Sequence, residues 1–246
     1  MGFNQIFYSN GDVYVGNFKD ELFHGNGKFT LSCGSVYEGD WIDGDMGEFS
    51  GDCRHGNGTQ TWKDGGIYTG NWKKDKRDGR GTMSWPDGDV FDGCWSNRLV
   101  HGYGVYRSVN GDVNTGNWKA GRLDGRGILN WTNGDQFDGC LSHGLRHGLG
   151  VYRFVNGDVY TGNWKEDEMD GTGIMSWANG DVFDGCWSNG LIHGSGVFRF
   201  ANGDVDIGNF RSKQLHGNGK YTFSNGTMYE GCICSNGKVI EKRLMI

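Results

Sequence analysis

The sequence predicts an all-β chain: an elongated, twisted, single-layer antiparallel sheet of repeated hairpins. Three observations predict it. Of 246 residues, 47 are Gly and only one is Pro. Collagen needs Gly at every third position with abundant Pro, so that class is excluded. Aromatic residues make up 14% of the chain, too many for a disordered segment. Third, the chain repeats itself. Taking the glycine of an aromatic-x-Gly-x-aromatic strand as anchor, copies fall at Gly16, Gly39, Gly70, Gly93, Gly116, Gly139, Gly162, Gly185, Gly208 and Gly231. Each step is 23 residues except Gly39 to Gly70, which is 31 and so carries an eight-residue insertion at about 45–53. A fixed period of this length is the signature of a repeat architecture.

In chain order, residues 1–11 read as a truncated copy and cap, 12–237 as the repeats, and 238–246 as a C-terminal cap or tail, all in one domain. Each copy holds two strands and two turns, about twenty strands in all. The Val159–Lys165 stretch typifies strand A and Gly173–Trp177 typifies strand B. Asn-Gly follows strand B at Asn110, Asn133, Asn156, Asn179 and Asn202, a hairpin signal because these residues tolerate positive φ. A three-residue loop such as Val155-Asn156-Gly157 keeps the rings of Tyr152, Phe154 and Tyr160 on one face, whereas a two-residue loop splits them. The strand glycine then offers bare backbone for a neighbouring ring to lie against. Asn114, Leu141, Asp206 and Ile233 interrupt the aromatic pattern, so weaker packing is expected around them.

Several function classes are disfavoured. No run of 18 apolar residues exists to span a membrane as a helix, and MGFNQI lacks the basic and apolar regions of a secretory signal. A cytoplasmic location, or a peripheral one at a membrane, is the expectation. The net charge of −6 disfavours nucleic acid as a partner. Cys94, Cys140, Cys186 and Cys232 share one slot in alternate copies, roughly 19 Å apart at four strand spacings, beyond disulfide reach. They read as free thiols.

Six histidines (His24, His55, His101, His147, His193, His216) stand in His-Gly-x-Gly, a slot that is Asp78, Asp124 or Asp170 in other copies. Neighbouring copies lie roughly 10 Å apart, too far for a shared metal. A structural role bonding turn backbone is expected, with no metal and no cofactor. Asp43, Asp45, Glu48 and Asp52 lack the order of an EF-hand calcium loop and read as solvated. No nucleophile-and-base constellation is present, so no enzyme activity is expected.

Tyr-x-Gly-x-Trp, then His-Gly-x-Gly and Asn-Gly, repeating at 23 residues from about Asn10 to Gly237, resembles the MORN repeat. The resemblance implies a ring-lined groove and a partner-binding or membrane-association module. In plant phosphatidylinositol phosphate kinases such arrays accompany a kinase domain. The expected function is therefore a scaffold that clasps a partner's helix or extended segment in a groove lined by Trp72, Trp95, Trp118, Phe137, Tyr160, Trp164, Phe183 and Trp187. A second expectation is contact with anionic phospholipid through Lys73, Lys119, Lys165, Arg107, Arg153 and Arg199 on the other face. Against it, this register sets Arg107 opposite Cys94 and diagonal to Asp92, with Arg153–Asp138 and Arg199–Asp184 following, as a ladder of ion pairs. A third is a regulatory segment of a lipid kinase. Open end strands also allow a dimer.

Overall fold

The structure is a computed structural model describing residues 4–42, 53–211, 214–233 and 243–245. The insertion's carboxylates Asp43, Asp45, Glu48 and Asp52, and the tail up to residue 242, lie outside the described residues. Two compact units divide the chain, Met1–Arg122 and Leu123–Ile246.

The first unit is a sheet of β1 (Asn4–Phe7), β2 (Val13–Lys19), β3 (Leu22–Thr30), β4 (Val36–Ile42), β5 (Cys53–Thr61), β6 (Ile67–Lys73), β7 (Lys76–Ser84), β8 (Val90–Ser96), β9 (Leu99–Arg107) and β10 (Val113–Lys119). Each strand pairs antiparallel with its neighbours in sequence. The second unit follows the same plan with β11 (Arg122–Asn130), β12 (Gln136–Ser142), β13 (Leu145–Arg153), β14 (Val159–Lys165), β15 (Glu168–Ser176), β16 (Val182–Ser188), β17 (Leu191–Arg199), β18 (Val205–Arg211), β19 (Gln214–Thr222), β20 (Met228–Ile233) and β21 (Arg243–Met245). The described residues contain no helix. At the two ends, β1 pairs with β2 and β21 pairs with β20.

The Asn-Gly turns have three residues. Phe154 N–H donates to Asp158 O at 2.9 Å and Gly157 N–H to Phe154 O at 2.9 Å. Gly157 takes φ 92°, the left-handed bulge position that glycine fills without steric cost. Tyr152 consequently faces Tyr160 across the ladder.

The other turn lies where the sequence gives little warning. Strand B begins five residues before Gly173, because the polar crossing is only Glu166-Asp167, with φ of 48° and 70°. Two consecutive positive φ values are the pattern of a tight two-residue hairpin loop. Charged residues occupy it in place of Asn-Gly, since Asp167 is tied across to the preceding copy: its N–H donates to Arg146 O at 3.1 Å. A bulge between Gly162 and Trp164 absorbs the extra residues of the nine-residue strand.

Glycines face glycines across the ladders from β2 to β10 and from β11 to β20. In the second unit Gly139, Gly150, Gly162, Gly173, Gly185, Gly196, Gly208, Gly219 and Gly231 form one row. This spine sets the register, so Arg107 stands opposite Val90 and Val113, not Cys94. It remains diagonal to Asp92, but the expected ladder of ion pairs does not form among the described residues. Asp138 is instead taken by Arg126 at 3.1 Å.

Candidate functional site

The rings sort into an inner and an outer set. Tyr160 lies flat along the glycine spine, and a Cβ on Gly173 would stand 2.5 Å from its Cζ. Its hydroxyl donates to Asn163 O at 3.0 Å. Trp164 and Trp187 meet its ring edge-on, with centroids 5.2 Å away in both cases. The Trp187 indole Nε1 then donates to Gly173 O at 3.1 Å. Edge-to-face pairs of this kind add about 0.5–1.5 kcal/mol each beyond area burial. The arrangement recurs at Tyr68 with Trp72 and Trp95, and at Phe183 with Trp187 and Phe210.

A further column covers the tryptophans from the start of the long strands: Phe23, Arg54, Arg77, Val100, Arg146, Met169 and Ile192, each opposite the second ring position of the preceding strand or its replacement. Of the expected groove residues, Phe137, Tyr160 and Phe183 are 0% exposed, and Trp72, Trp95, Trp164 and Trp187 are 4–5% exposed. These seven are core residues of their units, buried on the aromatic face. Trp118 alone of the eight is half-buried. Burial pushes the Tyr68 and Tyr160 phenols up to about 12, so both are neutral at physiological pH.

The outer rings end the long strands beside the three-residue turns. Trp62, Trp85 and Tyr106 in the first unit, and Trp131, Phe154, Trp177, Phe198, Phe200 and Tyr221 in the second, are half-buried. They touch one another: Trp177 stacks on Phe198 at 5.3 Å, Phe198 meets Phe200 at 4.5 Å, and Tyr221 meets the exposed Phe223 at 4.8 Å. Exposed Val109 and Val155 stand in the turns themselves.

An aspartate after Asn-Gly welds successive turns together, a role the sequence reading missed. Asp158 Oδ1 accepts from Ala178 N–H in the next copy's turn at 2.8 Å, and Asp181 does the same for Ala201 at 2.8 Å. Asn156 completes each turn locally by accepting from Asp158 N–H at 3.0 Å. The signal was present as Asn-Gly-Asp at a constant spacing. Asp135 and Asp204 also accept tyrosine hydroxyls, from Tyr152 and Tyr221. Val155 N–H at Asp135, and the Tyr221 hydroxyl at Asp204, hold these carboxyls below the usual carboxylate range.

Asp78 and Asp124 accept from the backbone N–H of Asn97 and His143 at 3.3 Å, a structural use of the His-or-Asp slot. His55 Nδ1 is buried without a hydrogen-bond partner. Among the described residues no group of three or more His, Cys, Asp or Glu could hold a metal, and Cys94, Cys140 and Cys186 are free thiols. The pattern breakers behave differently. Leu141 is 4% exposed and packs well in a tryptophan slot. Asp206 occupies an inner-ring slot with Oδ1 buried and unpartnered.

On the opposite face, Lys73, Lys119, Lys165, Arg107, Arg153 and Arg199 are all exposed. In the second unit this face also has a shallow concavity of about 630 Å³, lined by Leu149, Val151, Ile174, Arg126 and Asp138 among others. Leu149 is 66% exposed there. It was not anticipated, because apolar residues in it alternate across strands with Asp and Thr.

A repeat array whose ring-on-glycine packing returns in copy after copy is what these features define. The MORN repeat family model matches residues 14–35, 46–67, 68–90, 91–113, 115–136, 137–159, 160–182, 183–205 and 207–228. The chain belongs to the MORN-repeat family. No curated protein sequence matches it. Among solved structures it is similar to the TCP10 domain of Danio rerio CPAP in complex with a peptide of Danio rerio STIL, at 10% identity over 98% of this chain and 99% of that one, with a TM-score of 0.49. It is also similar to the SAS-4 TCP domain of Drosophila melanogaster in complex with a proline-rich motif of Ana2, at 15% identity over 69% and 85%, with a TM-score of 0.36. A third, virginiamycin B lyase from Staphylococcus aureus, gives 10% identity over 99% and 84%, with a TM-score of 0.17.

Proposed function

We propose that this protein is a non-enzymatic scaffold whose aromatic face binds a helix or extended segment of a partner protein. The observation that supports the reading is the outer ring column. Its tryptophans, phenylalanines and tyrosines are half-buried, several of them touch one another, and they rest on an inner column that is already packed. Large rigid rings of this kind dominate interface energetics, and contiguous apolar surface on a monomer commonly marks an interaction site. The inner rings serve as the floor that holds the outer ones in place. Trp118, half-buried, is the one expected groove residue placed to touch a partner directly.

The test substitutes outer rings without opening the core. Trp131→Ser, Phe154→Ser and Trp177→Ser together should leave the circular dichroism spectrum and cooperative unfolding intact while abolishing capture of partner proteins from cell extract. Undiminished capture by the folded triple variant overturns the reading.

A second reading, peripheral binding to anionic membranes, is favoured by one observation: the six lysines and arginines of the opposite face are exposed, and the ion-pair ladder expected for the three arginines is not formed among the described residues. Vesicles containing phosphatidylserine should then sediment the protein at low salt and release it at physiological salt. Replacement of Lys73, Lys119 and Lys165 by Gln should weaken that association. Equal sedimentation of the variant and the native protein would rule it out.

A further inference from the structure

Arginine is the second residue of the long strand in three copies, at Arg54, Arg77 and Arg146, and in each it lies on the aromatic face. Two of the three are internally neutralised. Arg54 sits 4.4 Å over the Trp72 ring, and its Nε and backbone N–H both donate to Asp75 Oδ1, at 2.9 and 3.1 Å. Arg146 sits 4.3 Å over Trp164, and the same two donors reach Asp167 Oδ1, each at 2.9 Å. The aspartate in each case is the second residue of the tight turn 21 residues further on.

Arg77 keeps the frame and lacks the acid. Its guanidinium lies 4.4 Å over Trp95. Its Nη2 donates to Arg98 O at 3.0 Å, as the corresponding nitrogen of Arg146 does to Asp167 O at 2.8 Å. Arg98 N–H donates to Arg77 O at 3.0 Å, matching Asp167 N–H on Arg146 O at 3.1 Å. Yet the residue in the aspartate's place is Arg98. The Nη1 of Arg77 meets only the thioether of Met83, at 3.5 Å, and among the described residues no carboxylate forms an ion pair with it.

Burial and the Arg98 charge both pull the Arg77 guanidinium below its ordinary value, and Tyr68, the other ionisable neighbour, is neutral. Of the acids beside Arg77 in sequence, Asp75 is held by Arg54 and Asp78 by the Asn97 backbone.

We propose that Arg77 and Arg98 form a carboxylate-binding notch, filled by an aspartate or glutamate side chain of the protein segment that docks on the aromatic face. The carrier of that side chain rests on the scaffold reading; the chemistry of the notch rests on its two filled counterparts. Asp75 and Asp167 show what fits: a carboxylate with one oxygen on the Nε of an arginine that is stacked over a tryptophan. Charge-assisted hydrogen bonds of this type are among the stronger ones available to a protein.

The experiment follows the arginine Nε–H resonances by NMR while a capped peptide of alternating Glu and Leu is added to the full chain. The Gln-Leu counterpart, inorganic phosphate and phosphatidylserine-containing vesicles are run beside it. The Glu peptide should shift the Arg77 Nε–H signal and leave those of Arg54 and Arg146 in place, and the Gln peptide should not. Arg98→Asp should move the Arg77 signal toward its two counterparts and weaken the Glu peptide about tenfold or more. Arg77→Met, which keeps the stacked stem, should weaken it likewise. No shift at Arg77 with excess Glu peptide, unchanged binding in folded Arg98→Asp, or a response to vesicles but not to the Glu peptide each overturns the proposal. Because the peptide titration needs no natural partner, the notch can fail while the ring-column test succeeds, and the reverse.

Discussion

Asp206 carries a buried carboxyl oxygen with no hydrogen-bond partner, and replacing it should both raise stability and remove a pH dependence. It stands between Phe198 and Tyr221 on the aromatic face, in the slot that Tyr160 and Phe183 fill with rings. Burial pushes its carboxyl from the ordinary 3.8 up to about 6. A shift of that size corresponds to roughly 3 kcal/mol if undiminished. Partial solvent screening of the group brings the expectation to about 1–2 kcal/mol. The folded pKa is the raised one, so stability is full below the unfolded pKa and is lost as pH rises through about 6. Asp206→Asn should therefore match the native protein near pH 4 and exceed it by about 1–2 kcal/mol at pH 7. Asp206→Phe adds a ring over Gly208 and Gly219, worth about 1.5–3 kcal/mol more. Urea unfolding of all three proteins across that pH range measures the differences directly. The turn aspartates do not confuse the comparison: Asp135 and Asp204 have lowered values, so their contribution is lost only as pH falls below the ordinary carboxylate range. A native-minus-Asn difference that stays constant with pH would refute the reasoning.

Two further outcomes follow from the backbone. Gly173→Ala places a Cβ 2.5 Å from Cζ of Tyr160, so the ring must leave the spine; a loss of about 3 kcal/mol in urea unfolding is expected, and a change under about 0.5 kcal/mol would mean the ring does not rest there. Glu21 holds φ 66° in a tight turn after Asp20. Glu21→Gly creates the Asp-Gly pair such turns favour and should raise the unfolding midpoint by about 0.5–1 kcal/mol equivalent; a lowered midpoint would contradict the turn geometry.

The period, the three-residue Asn-Gly turns and the one-sided ring pattern were legible because each has a local cause: positive φ at glycine, and alternation that a slipped register would break. The tight turns were not, because residues such as Lys74-Asp75 and Glu166-Asp167 adopt positive φ only under bonds to the preceding copy. A ring's exposure was also hidden. Tyr160 and Trp177 look alike in an aromatic pattern, and only the edge-on tryptophans from two strands, with the covering column that includes Arg54 and Arg146, decide that one is sealed and the other is open. The Asn-Gly-Asp welds were present as a constant motif, but the backbone N–H that donates to each aspartate lies in the next copy, which a reading confined to one hairpin does not reach. The Arg77 notch emerges only when the Arg54 and Arg146 contacts are available for comparison.

Oxidative footprinting of the tryptophans under native conditions, read by peptide mass spectrometry, tests the division into sealed and open rings most directly. Trp62, Trp85, Trp118, Trp131 and Trp177 should react first, while Trp41, Trp72, Trp95, Trp164 and Trp187, all at most 8% exposed, should be protected until the chain unfolds. Equal reactivity of the two sets in the folded protein would contradict the account.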